Sequence, residues 1–224
     1  MKDKIKMQKK MILVLDTETC PIDPNGGIRP SNMLVYDIGY RIIDKQNHCY
    51  LERNFLVNEI FHGEYDKMLT CYYVNKLPLY YKMLAHGSIQ LKDFNKIHKI
   101  LMLDIAHYGV DTISCHNTSF DYGSLCNTNK WLNGKWQSFW PKNITMWDSC
   151  KMARQTICKY KTYDYKTPSG KMKSATADSL GKYYFGDDFQ ESHTALEDTR
   201  LESFILYKCL SSHKKCDKIY IAKW

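Results

Sequence analysis

The sequence predicts an α/β protein in which helices cover a mixed β-sheet. Two patterns support this fold class. Three strand-like segments follow one another near the start of the chain, which is typical of an antiparallel meander. Beyond residue 109, short apolar runs alternate with helical periodicity, which adds parallel strands through helical crossovers. The length of 224 residues suits one domain, so we expect residues 1–224 to form a single unit.

The first predicted strand, residues 10–20, organises the rest of the chain. It contains five consecutive apolar residues, which is typical of a strand buried on both faces, and then Asp16-Thr17-Glu18. Residues two apart in a strand point to the same side, so the carboxylates of Asp16 and Glu18 should emerge together. Two buried like charges repel, and a hard cation such as Mg²⁺ between them would relieve that repulsion. The alternative is a strand that runs into a polar loop holding two acids.

The other elements follow from the same kinds of pattern. Further strands are predicted at residues 33–44, 48–57, 110–115 and 144–147. Helices are predicted from about 121 to 127 and at 150–159, 176–185 and 195–210, with a capping box of Thr194 and Glu197 at the start of the last. Asp148 or Ser149 should cap the helix at 150–159. Residues 58–108 are largely helical and match no motif, so we interpret them as an elaboration.

Composition and charge narrow the class of partner. The net charge of +8 and the pI of about 8.9 favour a polyanion such as nucleic acid, and the alternative is a basic soluble protein without such a partner. We expect residues 1–10 to be a loose basic arm and residues 211–224 to be a basic tail. The nine cysteines include no C-x-x-C pair, and no signal peptide or membrane-spanning run is visible. We therefore expect a reduced, cytoplasmic protein without a membrane partner.

Two more acids lie at the edges of buried elements. Asp121 begins a helix after a short buried strand, and Asp198 lies near the start of a late helix. With Asp16 and Glu18 they could converge and hold two divalent ions about 3.5–4 Å apart, as in phosphodiester-cleaving enzymes. His193 precedes Asp198 by five residues and could accept the proton of an attacking water. Its alternative is a surface histidine that packs on the helix start.

Three motifs in this order resemble those of the DEDDh exonuclease family. They are D-x-E beginning at Asp16, H-N-x-x-F-D ending at Asp121, and H-x-A-x-x-D ending at Asp198. The resemblance covers most of the chain, from residue 13 to about 207. It implies a ribonuclease-H-like sheet and one exonuclease domain that removes nucleoside 5′-monophosphates from a 3′ end with two Mg²⁺ or Mn²⁺ ions.

The resemblance also assigns roles to individual residues. It makes His193 the general base and gives the metal ligands as Asp16, Glu18, Asp121 and Asp198. A sister branch has Tyr where this chain has Thr194, so the branch with the histidine fits better. Many members follow the first motif with Thr-Gly, whereas this chain has Thr19-Cys20-Pro21, which affects the loop beside the pocket rather than the ligands.

Eight residues are candidates for contacts with the substrate. Those in or beside the motifs are Thr17, Thr19, His116, Asn117 and Phe120, and those further along the chain are Trp136, Lys166 and Lys171. Trp136 lies in the Trp- and Lys-rich stretch 131–142, where bases could stack with about 1–3 kcal/mol each, or where the rings could form a small apolar cluster instead. The two lysines lie in a Tyr-rich loop at 160–173, for which a plain solvated loop is the alternative. In the family, the loop after the first motif packs on the terminal nucleotide, and here Ile22 and Ile28 are the candidates.

We therefore expect a metal-dependent 3′→5′ exonuclease that acts on single-stranded DNA or RNA with a free 3′ end. The resemblance also allows a homodimer. One alternative is an enzyme with the same chemistry on short oligonucleotides or signalling nucleotides. The other is a non-catalytic nucleic-acid-binding module on the same fold.

Overall fold

The structure is a computed structural model that describes residues 10–214 and 216. The predicted basic arm lies outside the described residues apart from Lys10, and most of the predicted basic tail also lies outside them.

A six-stranded mixed sheet forms the centre of the molecule, with the strand order β4-β3-β2-β1-β5-β6. The strands are β1 (Met11–Pro21), β2 (Met33–Ile43), β3 (Cys49–Val57), β4 (Gln90–Lys92), β5 (Val110–Cys115) and β6 (Thr145–Asp148). The first three strands pair antiparallel, while β4, β5 and β6 each join a neighbour in parallel. The predicted meander with added parallel strands is confirmed. The sequence did not predict β4, because three residues are too few to show a period.

Helices cover both faces of this sheet. They are α1 (Asn58–Phe61), α2 (Tyr65–Met68), α3 (Leu77–Ala85), α4 (Phe94–Tyr108), α5 (Thr118–Asn133), α6 (Ser149–Gln155), α7 (Ala177–Phe185) and α8 (Ala195–Leu210), with 3₁₀ turns at Pro30–Asn32, Val74–Lys76 and Ile157–Lys159. Apolar residues of α4 and α5 pack on one face of the sheet, and those of α6, α7 and α8 pack on the other.

Strand β1 lies between β2 and β5 and is buried on both faces, as predicted. Leu13 and Leu15 belong to the apolar core beneath α4 and α5, whereas Ile12 and Val14 belong to the core beneath α8. The alternation continues past Leu15, so Asp16 and Glu18 follow on the α8 side. This register decides which helix the two carboxylates meet.

Two helices differ in length from their predictions. Helix α5 runs to Asn133 rather than to about residue 127, and Gly134 ends it with a left-handed φ of 70°. Helix α6 ends at Gln155, and a 3₁₀ turn follows it, because Thr156 leaves the helical region and bonds its hydroxyl to the Met152 carbonyl. The predicted cap of α6 is confirmed, since the Asp148 carboxylate accepts from the Lys151 N–H at 3.0 Å.

The start of α8 is fixed by the sheet rather than by its own sequence. The predicted capping box is wrong, because the Thr194 hydroxyl lies 3.1 Å from Ser192 Oγ and caps no N–H of the helix. The buried carboxylate of Asp37, on β2, accepts instead from the Ala195 N–H at 3.0 Å. A carboxylate at a helix N-terminus also interacts favourably with the helix dipole. A strand 158 residues earlier in the chain therefore supplies the cap.

Helix α8 also lies against the backbone of β2. A Cβ atom added to Gly39, which pairs with Asp16 across β1 and β2, would collide with the backbone of Ala195 and Leu196. The Thr199 hydroxyl donates to the Gly39 carbonyl at 3.1 Å, which fixes the same contact. Small residues at both Gly39 and Ala195 thus allow the first turn of α8 to reach the sheet.

We expect Gly39→Ala to lower the free energy of unfolding by about 1–3 kcal/mol, because the added methyl group overpacks the contact with α8. Urea unfolding followed by circular dichroism measures the change. Ser31→Ala, at an exposed position, is the control. An unchanged unfolding midpoint for Gly39→Ala would show that α8 can move away from β2 without cost.

Candidate active site

Carboxylates from three elements meet at the carboxyl end of β1. Asp16 and Glu18 leave the strand on its α8 side, and α8 places Asp198 there in its first turn. The negative charge of Asp198 raises the pKa of Asp16 and the pKa of Glu18, in addition to the effect of burial. The predicted grouping of these acids thus follows from the alternation of β1 and from the docking of α8 on β1 and β2.

Asp121 reaches the same place from the opposite helical layer. It lies in the first turn of α5, which follows β5, and its side chain is 3% exposed. The hydroxyl of Thr17, which points to the α5 side of β1, donates to Asp121 Oδ1 at 2.8 Å. Asn117 precedes α5 with a left-handed φ of 78°, which turns the chain sharply from the strand into the helix.

His193 lies beside Glu18 and Asp198. One ligand atom from each of these three side chains lies within 4.8 Å of the other two. The His193 backbone N–H donates to Asp198 Oδ1 at 3.1 Å, and the residue itself has a left-handed φ of 53°. The ring of Tyr73 stacks on the imidazole with 4.2 Å between centroids and 17° between planes. Burial, together with the nearby Lys76, lowers the pKa of His193, so the ring is neutral at neutral pH.

Sequence reasoning missed a fifth carboxylate in this cluster, that of Glu202. It lies one helical turn after Asp198 in α8, and it is 3% exposed. Asp121 and Asp198 are the charged neighbours that raise its pKa most, after burial itself. A spacing of four residues places both α8 acids on one helix face, and that spacing was the signal available in the sequence.

The cluster concentrates negative charge where water is largely excluded. Burial raises the pKa of Asp121 and of Asp198 to about 7, and burial and mutual repulsion raise the pKa values of Asp16 and Glu18 well above their usual range. Carboxylate oxygens are the donors that suit Mg²⁺ or Mn²⁺. Glu202 Oε2, which has no hydrogen-bond partner among the described residues, fits a cation as its missing partner. The residues present thus fit the divalent ions that the motifs imply.

The helical segment that matched no motif covers one side of this cluster. Tyr72, Tyr73 and the 3₁₀ turn Val74–Lys76 bring aromatic rings and one cation over Glu18. They help to enclose an open cavity of about 590 Å³, whose other walls include Thr17, Thr19, Ile28 and Phe120. The segment 58–108 therefore contributes directly to the surroundings of the carboxylates.

A second cavity, of about 380 Å³, opens on the other side of the cluster. Asp16 and Glu202 line it together with His116 and Asn117. Its remaining walls include the basic residues Lys151 and Arg154 and the end of the loop after α6, at Thr176.

The predicted substrate residues divide between these two cavities and the outer surface. Thr17, Thr19 and Phe120 line the first cavity, and His116 and Asn117 line the second. Both ring nitrogens of His116 are bonded within the protein, to Ser149 Oγ at 3.0 Å and to the Ala175 carbonyl at 2.7 Å. The three others, Trp136, Lys166 and Lys171, are exposed and line neither cavity.

The candidates Ile22 and Ile28 also differ in position. Ile28 is 79% exposed at the rim of the first cavity, whereas Ile22 packs against the core. Within the Trp-rich stretch 131–142, Phe139 and Trp140 are buried, as expected if part of it forms an apolar cluster, whereas Trp131 and Trp136 are exposed.

Several solved nuclease structures have a similar fold. E. coli exonuclease I in complex with a dT13 oligonucleotide has 12% sequence identity and a TM-score of 0.58, over 89% of this chain and 40% of that one. The zinc-bound form of the E. coli exonuclease I–ssDNA complex has 13% identity and a TM-score of 0.55, over 90% of this chain and 40% of that one. The nuclease domain of 3′hExo, a DEDDh family member, bound to rAMP, has 10% identity and a TM-score of 0.56, over 96% of this chain and 99% of that one.

No protein-family model and no curated protein matches the sequence. This chain spans 40% of the length of the exonuclease I chains that it matches. None of the helices formed by the described residues has the length and apolar content that a membrane crossing requires. The fold itself is the ribonuclease-H-like fold of the DEDDh exonucleases.

We expect the metal-free protein to become less stable as the pH rises from about 4 to about 7, and this contribution should level off above about pH 8. Burial raises the pKa of Asp121 and Asp198 to about 7, while in the unfolded chain an Asp has a pKa of about 4. The folded state therefore binds more protons than the unfolded state in this range, and its free energy of unfolding falls as those protons are lost. Thermal unfolding in a chelator measures the trend, and added Mg²⁺ should remove most of it.

Asp198→Asn is the matched variant for this measurement, since it removes one titrating group and keeps the size of the side chain. Its melting temperature should depend less on pH than that of the wild type. A wild-type melting temperature that rises between about pH 4 and about pH 7 in a chelator would contradict the predicted burial of the acids.

Proposed function

We propose that this protein is a metal-dependent 3′→5′ exonuclease that hydrolyses the terminal phosphodiester of single-stranded nucleic acid and releases nucleoside 5′-monophosphates. The observation that carries the proposal is the convergence of Asp16, Glu18, Asp121 and Asp198 beside His193. The fold likeness to nucleases solved with single-stranded oligonucleotides supports it. The net charge of +8 is favourable for a polyanionic substrate.

The four carboxylates of the motifs would hold two divalent ions, either Mg²⁺ or Mn²⁺. The Asp16 carboxylate interacts electrostatically with those of Glu18, Asp121 and Asp198. Because it is close to all three, it would be suited to contribute to the binding of both ions. When bound, such ions activate a water and neutralise the charge that develops on the leaving oxygen. Thr17 holds Asp121 in place through its hydroxyl.

His193 would accept the proton of the attacking water. The physical requirements are a neutral ring and a fixed orientation. Burial and Lys76 lower its pKa, which keeps the imidazole neutral, and the stacked ring of Tyr73 limits its rotation. The backbone hydrogen bond from His193 to Asp198 ties the base to a metal-ligating carboxylate.

The cavity of about 590 Å³ would hold the 3′-terminal nucleoside. Its walls contain the aromatic side chains of Tyr72, Tyr73 and Phe120, on which a base can stack, and it opens beside Glu18. Ile28, at the exposed rim, is the better candidate of the two isoleucines for a contact with that nucleoside. Because Trp136, Lys166 and Lys171 lie outside both cavities, we assign them no role at the terminal nucleotide and propose them only as contacts to the strand further from its 3′ end.

The described cysteines are all unpaired, which supports a cytoplasmic, reducing location as part of the proposal. The homodimer that the resemblance allows stays a prediction.

The test is the release of mononucleotides from end-labelled single- and double-stranded DNA and RNA in Mg²⁺, in Mn²⁺ and in a chelator. We expect the protein to degrade single strands from the 3′ end only when a divalent ion is present. Asp16→Ala and Asp198→Ala should both abolish activity, because each removes a proposed ligand. Glu197→Ala is the matched control, since Glu197 is the exposed neighbour of Asp198 and pairs with Arg200.

The same panel separates the alternatives. Binding of the labelled strand without metal-dependent release of mononucleotides would replace the enzyme with a binding module. Faster hydrolysis of a dinucleotide than of a longer strand would favour an enzyme for short oligonucleotides or signalling nucleotides. Wild-type digestion by purified Asp198→Ala would overturn the assignment of the site.

We expect His193→Ala to lower the single-turnover rate by about 10²–10⁴-fold, which is the usual contribution of a general base. The rate of the wild type should rise with pH and then level off above the lowered pKa of His193, whereas the variant should lack that step. His86→Ala, at an exposed histidine after α3, is the control. An unchanged rate for His193→Ala at neutral pH would show that another group is the base.

A further inference from the structure

We propose that Glu202 is a fifth carboxylate ligand of the divalent-ion site and binds the ion on the side of Asp16 and Asp121. This inference rests on the proposed function. The motifs that the sequence shares with the DEDDh exonucleases do not include this position, so the inference depends on where α8 places the side chain.

Helix α8 presents Glu202 to the same region as Asp198. The two acids are four residues apart and therefore lie on one face of the helix, one turn from each other. Helix α8 packs on β1. After burial itself, the Glu202 carboxylate is the charged neighbour that raises the pKa of Asp16 most. Asp121 is in turn the charged neighbour that raises the pKa of Glu202 most. Glu202 thus lies next to Asp16 and Asp121, whereas Glu18 and His193 belong to the other side of the cluster.

The Glu202 carboxylate lacks the partners that a buried charge requires. The residue is 3% exposed. The backbone N–H of His116 donates to the carboxylate, but Oε2 has no hydrogen-bond partner among the described residues. Buried charges in proteins are normally paired or bound to metals. The unpartnered oxygen therefore points to a cation that this carboxylate would bind.

The side chain also has open space in front of it. Glu202 and Asp16 both line the cavity of about 380 Å³, so an ion and its water ligands can reach the two carboxylates. Basic side chains line the same cavity. The Nζ atom of Lys151 lies 3.4 Å from Asp148 Oδ2, and this ion pair partly neutralises the charge of Lys151. A hydrated divalent ion held by Asp16, Asp121 and Glu202 would satisfy these charges together.

The competing arrangement is a protonated Glu202 that serves only the packing of α8. The two arrangements predict opposite behaviour for Glu202→Gln, because glutamine has the shape of the protonated acid but cannot carry the charge. A packing role predicts unchanged metal binding in this variant. A ligand role predicts weaker binding of one ion.

The experiment is calorimetric titration of Mn²⁺ into chelator-treated, dialysed protein of residues 1–224. We expect the wild type to bind two ions, and Glu202→Gln to bind one of them at least about tenfold more weakly while the other is unchanged. The increase in melting temperature caused by saturating Mn²⁺ should also be smaller in Glu202→Gln. Glu197→Gln, on the exposed side of the same helix, is the matched control and should bind as the wild type does.

Glu202→Asp keeps the charge at a shorter reach and provides a second test if Glu202→Gln does not fold. It should bind Mn²⁺ with an affinity below that of the wild type, and circular dichroism verifies its fold. Binding by Glu202→Gln equal to that of the wild type, or by Glu202→Asp if only that variant folds, would overturn the role of Glu202 and leave the proposed exonuclease intact. Absence of Mn²⁺ binding by the wild type itself would overturn both.

Discussion

The constraint on which the structure depends is the burial of several carboxylates at the carboxyl end of β1. Asp16, Glu18, Asp121 and Asp198 repel one another in a place where burial already disfavours charge. A fold that needed only stability would replace such groups with apolar side chains, which often costs nothing or stabilises the protein. The buried acids therefore support the proposal that cations bind here, and the surrounding elements can be understood as the means of holding these acids in place.

Two contacts from the sheet hold α8 in place, and both are made by residues of β2 that the sequence of the helix does not predict. The carboxylate of Asp37 caps the Ala195 N–H, and the bare backbone of Gly39 lets the first turn approach β2. Both residues lie on β2 beside the residues of β1 that carry the site, since Asp37 pairs with Glu18 and Gly39 pairs with Asp16. The position of Asp198 is thus set by the same strand pair that sets the positions of the first two acids.

The segment 58–108 has a role that its sequence did not disclose. Its tyrosines and Lys76 lie over the side of the cluster that contains Glu18 and His193. Burial and neighbouring acids raise the pKa of Glu18, and Lys76 is the cation that offsets part of this rise, while Tyr73 stacks on the His193 ring. An irregular helical segment can provide such contacts because they require only a few side chains at one loop, and loops commonly carry functional residues on a rigid scaffold.

Local patterns in the sequence were enough to predict the mixed sheet, the burial of β1 on both faces, and that Asp16 and Glu18 lie on one side of the strand. Alternation along a strand and periodicity along a helix are properties of neighbouring residues, so they can be seen in the sequence alone. The same patterns failed at the capping box of Thr194, since the Thr194 hydroxyl lies against Ser192 and a carboxylate from a distant strand, Asp37, accepts from the Ala195 N–H in the first turn. The contacts of Glu202, Tyr73 and Asp37 became visible only in the tertiary structure, although the spacing of four residues between Asp198 and Glu202 was present in the sequence. Each of these residues acts through a partner that is remote in sequence, as Tyr73 does through His193, 120 positions later in the chain, and no local periodicity records which distant segments will meet.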